Sequence, residues 1–226
     1  MKTSIIIPVY NEEHTIAEVL EREKQLNILK EIIVVDDGST DGTASILDRM
    51  QREGTVMVYH QEKNAGKGWA IRTGLHYVTG DIVIIQDADL ELDPMDIPRV
   101  IQPIAKGKAQ VVYGSRFHKR IRGMAPLRLL ANKILSAVTS FLYKTRITDM
   151  ETGYKAFKTD ILSNLDLKSH GFEIEPELTA KVLRRGYQIH EVPMSYHPRT
   201  IYQGKKMKWT DGVIALFILF KYRFFK

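Results

Sequence analysis

The segment "DIVIIQDADLELDP", residues 81–94, begins as an apolar strand and ends in four carboxylates at alternate positions. Its unbroken apolar run is typical of a strand that is covered on both faces in a parallel sheet. Asp87, Asp89, Glu91 and Asp93 follow that run. Carboxylates crowded at one strand end repel each other unless a cation or hydrogen-bond donors offset their charge. We therefore expect this end of the strand to hold a ligand.

Other apolar runs alternate with amphipathic segments along the first half of the chain, and this pattern predicts an α/β fold with a parallel sheet. Beyond residue 115 the sequence predicts a long amphipathic helix, a second helix, a final strand and an apolar helical tail. We predict one domain over residues 1–200 and a basic, apolar extension over residues 201–226. The other predicted strands of the first half are "SIIIPVY", "EIIVVDD", "VMVYH" and "AQVVYG".

Charge is distributed unevenly along the 226 residues. Residues 1–100 carry 10 basic and 18 acidic side chains, whereas residues 101–226 carry 23 and 9. Such segregation indicates an anionic partner: nucleic acid, anionic lipid or a phosphorylated substrate. Alternatively, the basic half neutralises the acidic half across an internal cleft. The chain has no cysteine and its first apolar run is too short for a signal peptide, so we expect a reducing compartment.

In an open parallel sheet, ligands bind beyond the carboxyl ends of the strands. Three such ends are polar or acidic: "PVYNE" (8–12), "DDGSTDGT" (36–43) and "QDADLE" (86–91). Asp87 and Asp89 share a strand face. With the oxygens of a bound phosphate they form a shell that suits Mg²⁺ or Mn²⁺. We predict that such an ion bridges a diphosphate at this edge.

The glycine-rich segment "NAGKGWAIRTG", residues 64–74, is a second candidate site. It follows the third predicted strand and lacks a third glycine in register, so it is not a dinucleotide-binding fingerprint. A glycine-rich entry to a helix explains the same residues.

Five motifs occur in the order and spacing of glycosyltransferase family 2: "IIIPVYNEE", "VVDDGSTDGT", "NAGKGWAIRTG", "QDADLELDP" and "GSRF". The later "TDMETGYKAFK" and "RTIYQGKKMKWTDG" resemble the dolichyl-phosphate mannose and glucose synthase branch of that family. The resemblance covers nearly the whole chain. It implies a GT-A fold, a mostly parallel central sheet flanked by helices. It also implies a donor of the GDP-mannose or UDP-glucose type, a divalent metal and inversion at the anomeric carbon.

The resemblance also divides the domain into a nucleotide-sugar and metal half, residues 1–115, and an acceptor half, residues 116–200. By similarity, the residues that contact the donor are Pro8, Tyr10, Glu12, Asp36, Asp37, Lys67, Asp87, Ala88 and Asp89. Asp87 and Asp89 match the metal-binding aspartates. Glu91 stands where mannose synthases of this branch usually carry glutamine, which implies either a third metal ligand or a different donor.

The expected reaction is transfer of a hexose to a polyprenyl phosphate, dolichyl or undecaprenyl. The nucleophile is then already ionised and needs cations rather than a base. We assign catalysis to Asp89 and Arg116, the acceptor phosphate to Arg116 with Arg128 or Lys133, and a clamp on the diphosphate to Arg199 and Lys205. The tail "ALFILFKYRFF" has the composition of a helix in a membrane interface, or of a helix packed on the domain. We therefore expect a peripheral position on the cytoplasmic face of a membrane.

An enzyme of the same fold that glycosylates a soluble or glycan hydroxyl is the alternative, and it predicts an essential carboxylate at Asp149 or Glu151. A sugar-1-phosphate nucleotidyltransferase would need a glycine-rich basic loop after the first strand, and "PVYNEEHT" is not one. A nucleic-acid-binding protein leaves the acidic edge unexplained, since carboxylates repel a phosphate backbone. We expect no nucleic-acid partner.

Overall fold

A single seven-stranded sheet organises the chain, for which the computed structural model describes residues 1–118, 123–199 and 209–225. All five strands predicted in the first half are present, as is the final strand, and a short strand, β6, was not predicted. The strands are β1 (Thr3–Val9), β2 (Lys30–Asp36), β3 (Met57–His60), β4 (Ile82–Ile85), β5 (Val111–Ser115), β6 (Lys155–Lys158) and β7 (Ile189–Pro193).

The strand order is β3-β2-β1-β4-β6-β5-β7. Strands β3, β2, β1 and β4 are mutually parallel, and β5 and β7 pair in parallel at the other side. Strand β6 lies between β4 and β5 and is antiparallel to both. The predicted mostly parallel sheet is therefore confirmed, and the carboxyl ends of β1, β2 and β4 lie on one edge.

Helices cover both faces of the sheet. Short 3₁₀ turns precede α4, at Pro94–Asp96, and follow β5, at Arg116–His118. The helices are α1 (Ile16–Lys24), α2 (Thr43–Arg52), α3 (Lys67–Leu75), α4 (Ile97–Ala105), α5 (Pro126–Tyr143), α6 (Thr159–Ser163), α7 (Ile174–Arg184) and α8 (Trp209–Phe224).

The continuous apolar strands serve two cores because alternate side chains point to opposite faces. Ile5 and Ile7 pack with α1, α2 and α4 on one side. Ile6 packs with α3, α5, α7 and α8 on the other side. All three isoleucines are fully buried, which is why the strands read as unbroken apolar runs.

Helix α8, the described part of the predicted extension, packs against α5 and α7. Leu219 is fully buried in the second core, and Tyr143 of α5 donates a hydrogen bond from its hydroxyl to the Leu219 carbonyl over 2.9 Å. The opposite side of α8 exposes 64% of Phe217. Among the described helices, none has both the length and the apolar character needed to cross a membrane.

Candidate active site

A cavity of about 530 Å³ opens at the carboxyl edge of the sheet. The predicted strand ends converge there, because parallel neighbours end on the same side. From those strand ends, Pro8, Tyr10, Glu12, Asp37, Asp87, Ala88, Asp89 and Glu91 line the cavity. From the rest of the chain, Lys67, Arg116, Glu151, Glu175, Tyr196 and Arg199 line it as well.

Lys67 connects the acidic end of β4 to α7. Its Nζ lies 2.5 Å from Oδ1 of Asp87 and 2.7 Å from Oε1 of Glu175. Burial lowers the pKa of Lys67, but the two carboxylates raise it by more, so its pKa lies above the usual range. The lysine of the glycine-rich segment is therefore a fixed positive charge beside Asp87.

Arg199 bridges the ends of β1 and β4. Its Nη1 donates to Oε2 of Glu12 over 2.9 Å, and its Nη2 donates to Oδ2 of Asp89 over 2.8 Å. The Nε of Arg199 is buried without a hydrogen-bond partner within the described part of the chain. Arg199, the arginine predicted to clamp the diphosphate, thus lies in the cavity and is bonded to two of the carboxylates that line it.

Asp89 lies in a strongly anionic environment. Burial first, and then repulsion from Asp87, raises its pKa to about 6, although Arg199 acts in the opposite direction. A bound cation would relieve that repulsion. Because the donor atoms of Asp87 and Asp89 are carboxylate oxygens, the pair suits Mg²⁺ or Mn²⁺ once phosphate oxygens and water complete the shell.

The predicted third metal ligand, Glu91, is directed elsewhere. Its carboxylate accepts hydrogen bonds from the Arg199 backbone N over 2.8 Å and from the Tyr196 hydroxyl over 3.2 Å. Across residues 1–118, 123–199 and 209–225, no three His, Asp or Glu side chains are grouped closely enough to hold a metal ion. Glu91 instead fastens the segment before Arg199 to the sheet edge, and its role as a third metal ligand stays a prediction.

The structure separates the two aspartates at the end of β2. Asp37 lines the cavity and accepts hydrogen bonds from the backbone N atoms of Ala65 and Gly66, over 2.8 and 2.7 Å. Asp36 lies outside the cavity lining, and its Oδ2 is 2.8 Å from Nδ1 of His60. Of the two, only Asp37 lines the cavity.

Arg116 is presented to the cavity by a buried carboxylate. Its Nε donates to Oδ2 of Asp149 over 2.7 Å and its Nη2 donates to Oδ1 over 2.6 Å, while its backbone N also donates to Asp149. Burial lowers the pKa of Arg116, but Asp149 raises it by more. Asp149 is therefore occupied in orienting a permanent cation.

The other predicted cations are not brought together with Arg116. Arg128 and Lys133 lie on α5 outside the cavity lining, and Lys133 is exposed. Asn132 lies closer, since its Oδ1 accepts from Nη2 of Arg116 over 3.4 Å. Lys205 falls outside the described residues.

Sequence reasoning missed the cluster at the floor of the cavity. Glu175 pairs with both Lys67 and Lys155, and Lys155 also donates to the Thr152 carbonyl over 2.5 Å. Nearby Glu151 has an Oε1 without a hydrogen-bond partner among the described residues. Burial raises the pKa of Glu151 to about 7. The one available signal for Glu175 was its position as the middle of three glutamates that alternate with apolar residues and proline in "GFEIEPEL".

The structure is thus that of an α/β protein with an acid-rich cavity at the carboxyl edge of a mostly parallel sheet. Similarity to known proteins then places the chain in a family. Residues 4–165 match the family model described as "Glycosyl transferase family 2". The chain belongs to this family and is a glycosyltransferase.

Two curated relatives are archaeal. The uncharacterized protein MJ1222 of Methanocaldococcus jannaschii is 31% identical over 225 residues, which cover 96% of this chain and 89% of that protein. The glycosyltransferase AglJ of Haloferax volcanii is 29% identical over 197 residues, or 86% of this chain. The chain spans 63% of the length of AglJ.

Solved structures share the fold. Glucosyl-3-phosphoglycerate synthase from Mycobacterium tuberculosis, in complex with Mn²⁺, UDP-glucose and phosphoglyceric acid, superposes with a TM-score of 0.74 at 22% identity, covering 100% of this chain and 80% of that one. Mannosyltransferase PcManGT from Pyrobaculum calidifontis, in complex with GDP-mannose and Mn²⁺, gives 0.62 at 25% identity, covering 84% and 54%. The GT-A fold implied by the motifs is confirmed.

Proposed function

We propose that this glycosyltransferase moves a hexose from a nucleotide-diphosphate sugar to a polyprenyl phosphate, dolichyl or undecaprenyl, with inversion at the anomeric carbon. One observation carries the proposal. Arg116 lines the same cavity as Asp87 and Asp89, and Asp149 holds it by two hydrogen bonds. A permanent cation at this position suits an acceptor that is itself a phosphate.

The donor end of the site fits a metal-bound diphosphate. Asp87 and Asp89 would hold Mg²⁺ or Mn²⁺, which would stabilise the negative charge that grows on the leaving nucleoside diphosphate. Lys67 and Arg199 lie beside these aspartates and add positive charge. Mn²⁺ accompanies UDP-glucose in one structural neighbour and GDP-mannose in another, and these are the two donor types that we propose.

The chain's own residues then have defined tasks. An oxygen of the acceptor phosphate attacks the anomeric carbon, and the bond from that carbon to the diphosphate breaks. No proton needs to leave the nucleophile, because the phosphate is already ionised. Arg116 orients the acceptor, and Asp149 fixes the direction of the guanidinium. Asp37 and Tyr10 lie where the nucleoside end of the donor would extend along the sheet edge.

A lipid acceptor requires contact with a membrane, and two helices offer an apolar surface for it. On α5, Phe141 is 84% exposed and Leu127 is 77% exposed. On α8, Phe217 and Phe224 are exposed as well, while Lys221 and Arg223 flank them. Aromatic side chains bordered by cations are typical of helices that lie in a membrane interface. We therefore propose peripheral attachment to the cytoplasmic face of a membrane.

The test is a transfer assay with purified protein, Mn²⁺ and either UDP-glucose or GDP-mannose. A short-chain polyprenyl phosphate is added or withheld, and released nucleoside diphosphate is measured. Release that depends on the lipid phosphate is the expected result. Equal release with free sugars or glycans as acceptors would contradict the proposal.

Glu151 favours a second function, transfer of the sugar to a soluble or glycan hydroxyl. A general base for a hydroxyl acceptor needs a pKa near the working pH, and burial gives Glu151 a pKa of about 7 in the wall of this cavity. If Glu151 is the base, turnover should rise with pH through about 7, as the carboxyl loses its proton. Glu151→Gln should then abolish transfer to hydroxyl acceptors. Transfer to a polyprenyl phosphate should survive that substitution, and this difference separates the two functions.

A further inference from the structure

A second cavity, of about 440 Å³, lies between α7, α8 and the segment around Asp166. It shares no lining residue with the cavity at the sheet edge. Five cations line it: Lys168, Lys181, Arg184, Arg185 and Lys221. Nothing in the proposed transfer reaction uses this group.

Carboxylates neutralise only part of this charge. Lys181 lies 2.5 Å from Oε1 of Glu177, and Lys168 lies 3.4 Å from Oδ2 of Asp166. Among the described residues, Arg184, Arg185 and Lys221 form no ion pair with a carboxylate. The cavity therefore keeps an excess of positive charge, which favours an anion.

Two of the cations are held in position by contacts with the end of α8 and with the segment around Asp166. Arg184 donates from Nη1 to the carbonyl oxygens of Tyr222, over 3.1 Å, and of Phe225. Lys181 donates to the Asp166 carbonyl over 2.5 Å and lies 4.7 Å from the centre of the Tyr222 ring. These bonds tie α7 to the end of α8. Two of the five cations, Lys181 and Arg184, are thus held at the wall of the cavity, while Lys168, Arg185 and Lys221 are exposed at its mouth.

This cavity adjoins the apolar surface of α8. Lys221 lines the cavity and follows directly after Phe220, which is 46% exposed. Phe217 and Phe224 lie one turn to either side of this position on the same outward face, because residues three and four apart are neighbours on a helix. An anion carried by a membrane that contacts those phenylalanines would therefore lie at the level of the cavity.

We propose that this basic cavity binds the phosphate of an anionic membrane lipid and so orients the protein on its membrane. Arginine and lysine together suit a phosphate group, the first through forked hydrogen bonds and the second as a point charge. The adjoining apolar face favours a lipid over a free phosphate as the source. The inference rests on the membrane attachment in the proposed function, but not on the identity of the sugar acceptor.

The test compares two pairs of substitutions. Arg185→Gln with Lys221→Gln removes two cations from the cavity and leaves Arg184, which fastens α8, in place. Lys144→Asn with Arg146→Gln removes two exposed cations just beyond α5, outside the cavity lining. Asparagine is used at residue 144 because Lys144 has a φ of 52°, which asparagine tolerates. Circular dichroism and thermal unfolding check that both double variants fold.

Binding is measured by sedimentation with phosphatidylcholine vesicles and with an equimolar mixture of phosphatidylcholine and phosphatidylglycerol. The wild-type protein should prefer the anionic vesicles, and the cavity variant should lose that preference by about tenfold or more. It should keep the binding to neutral vesicles that the phenylalanines provide. The control variant should lose much less of its preference for anionic vesicles. Equal losses in the two pairs would mean diffuse surface charge and would overturn the inference.

Calorimetry with dihexanoyl phosphatidic acid, below its micelle concentration, tests the cavity without a bilayer. Saturable one-to-one binding by the wild-type and control proteins, absent from the cavity variant, is expected. Binding of inorganic phosphate with no binding to any vesicle would contradict a lipid source. Failure of transfer to a polyprenyl phosphate, with vesicle preference intact, would refute the proposed acceptor alone. Absence of vesicle binding by the wild-type protein would refute the inference whatever the transfer assay gives.

Discussion

Asp89, to which we assign a catalytic role, has a pKa that the fold shifts upward. It is half-buried just beyond β4 near Asp87, and desolvation and this neighbouring charge raise its pKa to about 6. Arg199 holds it at 2.8 Å. Asp89 thus lies close both to the negative charge of Asp87 and to the positive charge of Arg199. A metal-bound diphosphate would replace some of these contacts.

Asp89→Asn should reduce turnover by more than about 100-fold, because loss of even an indirect partner of a metal ligand lowers activity by about 10–100-fold. Nucleoside diphosphate release is measured across a Mn²⁺ titration. Asp93→Asn is the matched control, since Asp93 belongs to the same acidic segment but caps the turn at Pro94–Asp96, and asparagine caps equally well. Equal turnover in the two variants would show that Asp89 has no catalytic task.

Arg116→Ala should raise the KM for polyprenyl phosphate and leave the affinity for the nucleotide sugar unchanged, because its guanidinium bonds to Asp149 and Asn132 and not to Asp87 or Asp89. The substitution also leaves Asp149 buried without its partner, and breaking such a pair costs about 3–5 kcal/mol. Steady-state kinetics and donor titration are therefore read beside a denaturation curve. Arg116→Lys keeps the charge but not the forked geometry, so it should show a smaller defect in acceptor use.

A loss of donor affinity in Arg116→Ala with the KM for the acceptor unchanged would place this arginine on the diphosphate instead of the acceptor.

At this scale the sequence could predict the residues that lie within short motifs. Asp87 and Asp89 are examples because they come shortly after the apolar strand β4, and Arg116 is another because it directly follows β5. It could not predict that Lys67 lies between Asp87 and Glu175, since these residues come from three separate elements. It also could not predict that Glu91 would bond to Arg199, because that contact depends on how the distant segment crosses the sheet edge.

Among the elements, α8 has two faces with different tasks. Leu219 is fully buried against α5 and α7, whereas Phe217 on the same helix is 64% exposed. The apolar tail therefore both packs on the domain and leaves aromatic side chains at the surface. The apolar composition of the tail could not distinguish packing on the domain from exposure at the surface. The difference depends on which residues of α8 face α5 and α7.

Leu219→Ala should lower the free energy of unfolding by about 2–5 kcal/mol, since it opens a cavity in the second core. Phe217→Ala should change it by less than about 0.5 kcal/mol, because the side chain is mainly exposed. Urea denaturation in the absence of lipid measures both. A comparable loss in Phe217→Ala would show that its ring is buried by some contact within the protein.

Strand β6 shows where prediction of elements fails. It comprises four residues, "KAFK", and its first lysine is fully buried with Nζ on Glu175. A lysine-bordered segment of this length does not read as a central strand. Its antiparallel insertion between β4 and β5 also cannot be inferred from strand–helix alternation, which predicts parallel neighbours. The long apolar strands were predictable because burial on both faces leaves a continuous signal.

On the scale of the whole molecule, the uneven charge of the sequence has two outcomes. Part of it is neutralised internally, as when Arg199 of the basic half pairs with Glu12 and Asp89 of the acidic half. Another part remains at the second cavity, where Arg185 and Lys221 have no carboxylate partner among the described residues. Internal neutralisation, one of the two alternatives left open by the composition, therefore accounts for part of the charge, and the anionic partner stays a prediction.

Stability of the whole fold should also depend on one buried acid that takes no part in the proposed reaction. Glu23 on α1 is fully buried, and neither of its carboxylate oxygens has a hydrogen-bond partner within the described residues. Burial raises its pKa from 4.5 to about 8, although the side chain of Gln86 and the charge of Lys30 oppose the shift. Folded protein therefore keeps this proton over a pH range in which unfolded protein loses it.

The sign of the effect follows from that difference. Between pH 4.5 and about 8 the folded state binds more protons than the unfolded state, so the free energy of unfolding falls as pH rises. The loss is complete near pH 8 and is on the order of 4 kcal/mol for a shift of this size. Glu23→Gln should remove this dependence, because a glutamine carries no proton to lose.

Urea denaturation of wild-type protein and Glu23→Gln between about pH 5 and pH 8 measures the difference. The stability of the wild-type protein relative to Glu23→Gln should fall as the pH rises through this range. Glu21→Gln is the control, since Glu21 lies on the same helix but is exposed and pairs with Lys24. Parallel pH curves for wild-type protein and Glu23→Gln would mean that Glu23 ionises in the folded state at its ordinary pKa, and that the interior around Gln86 solvates a carboxylate.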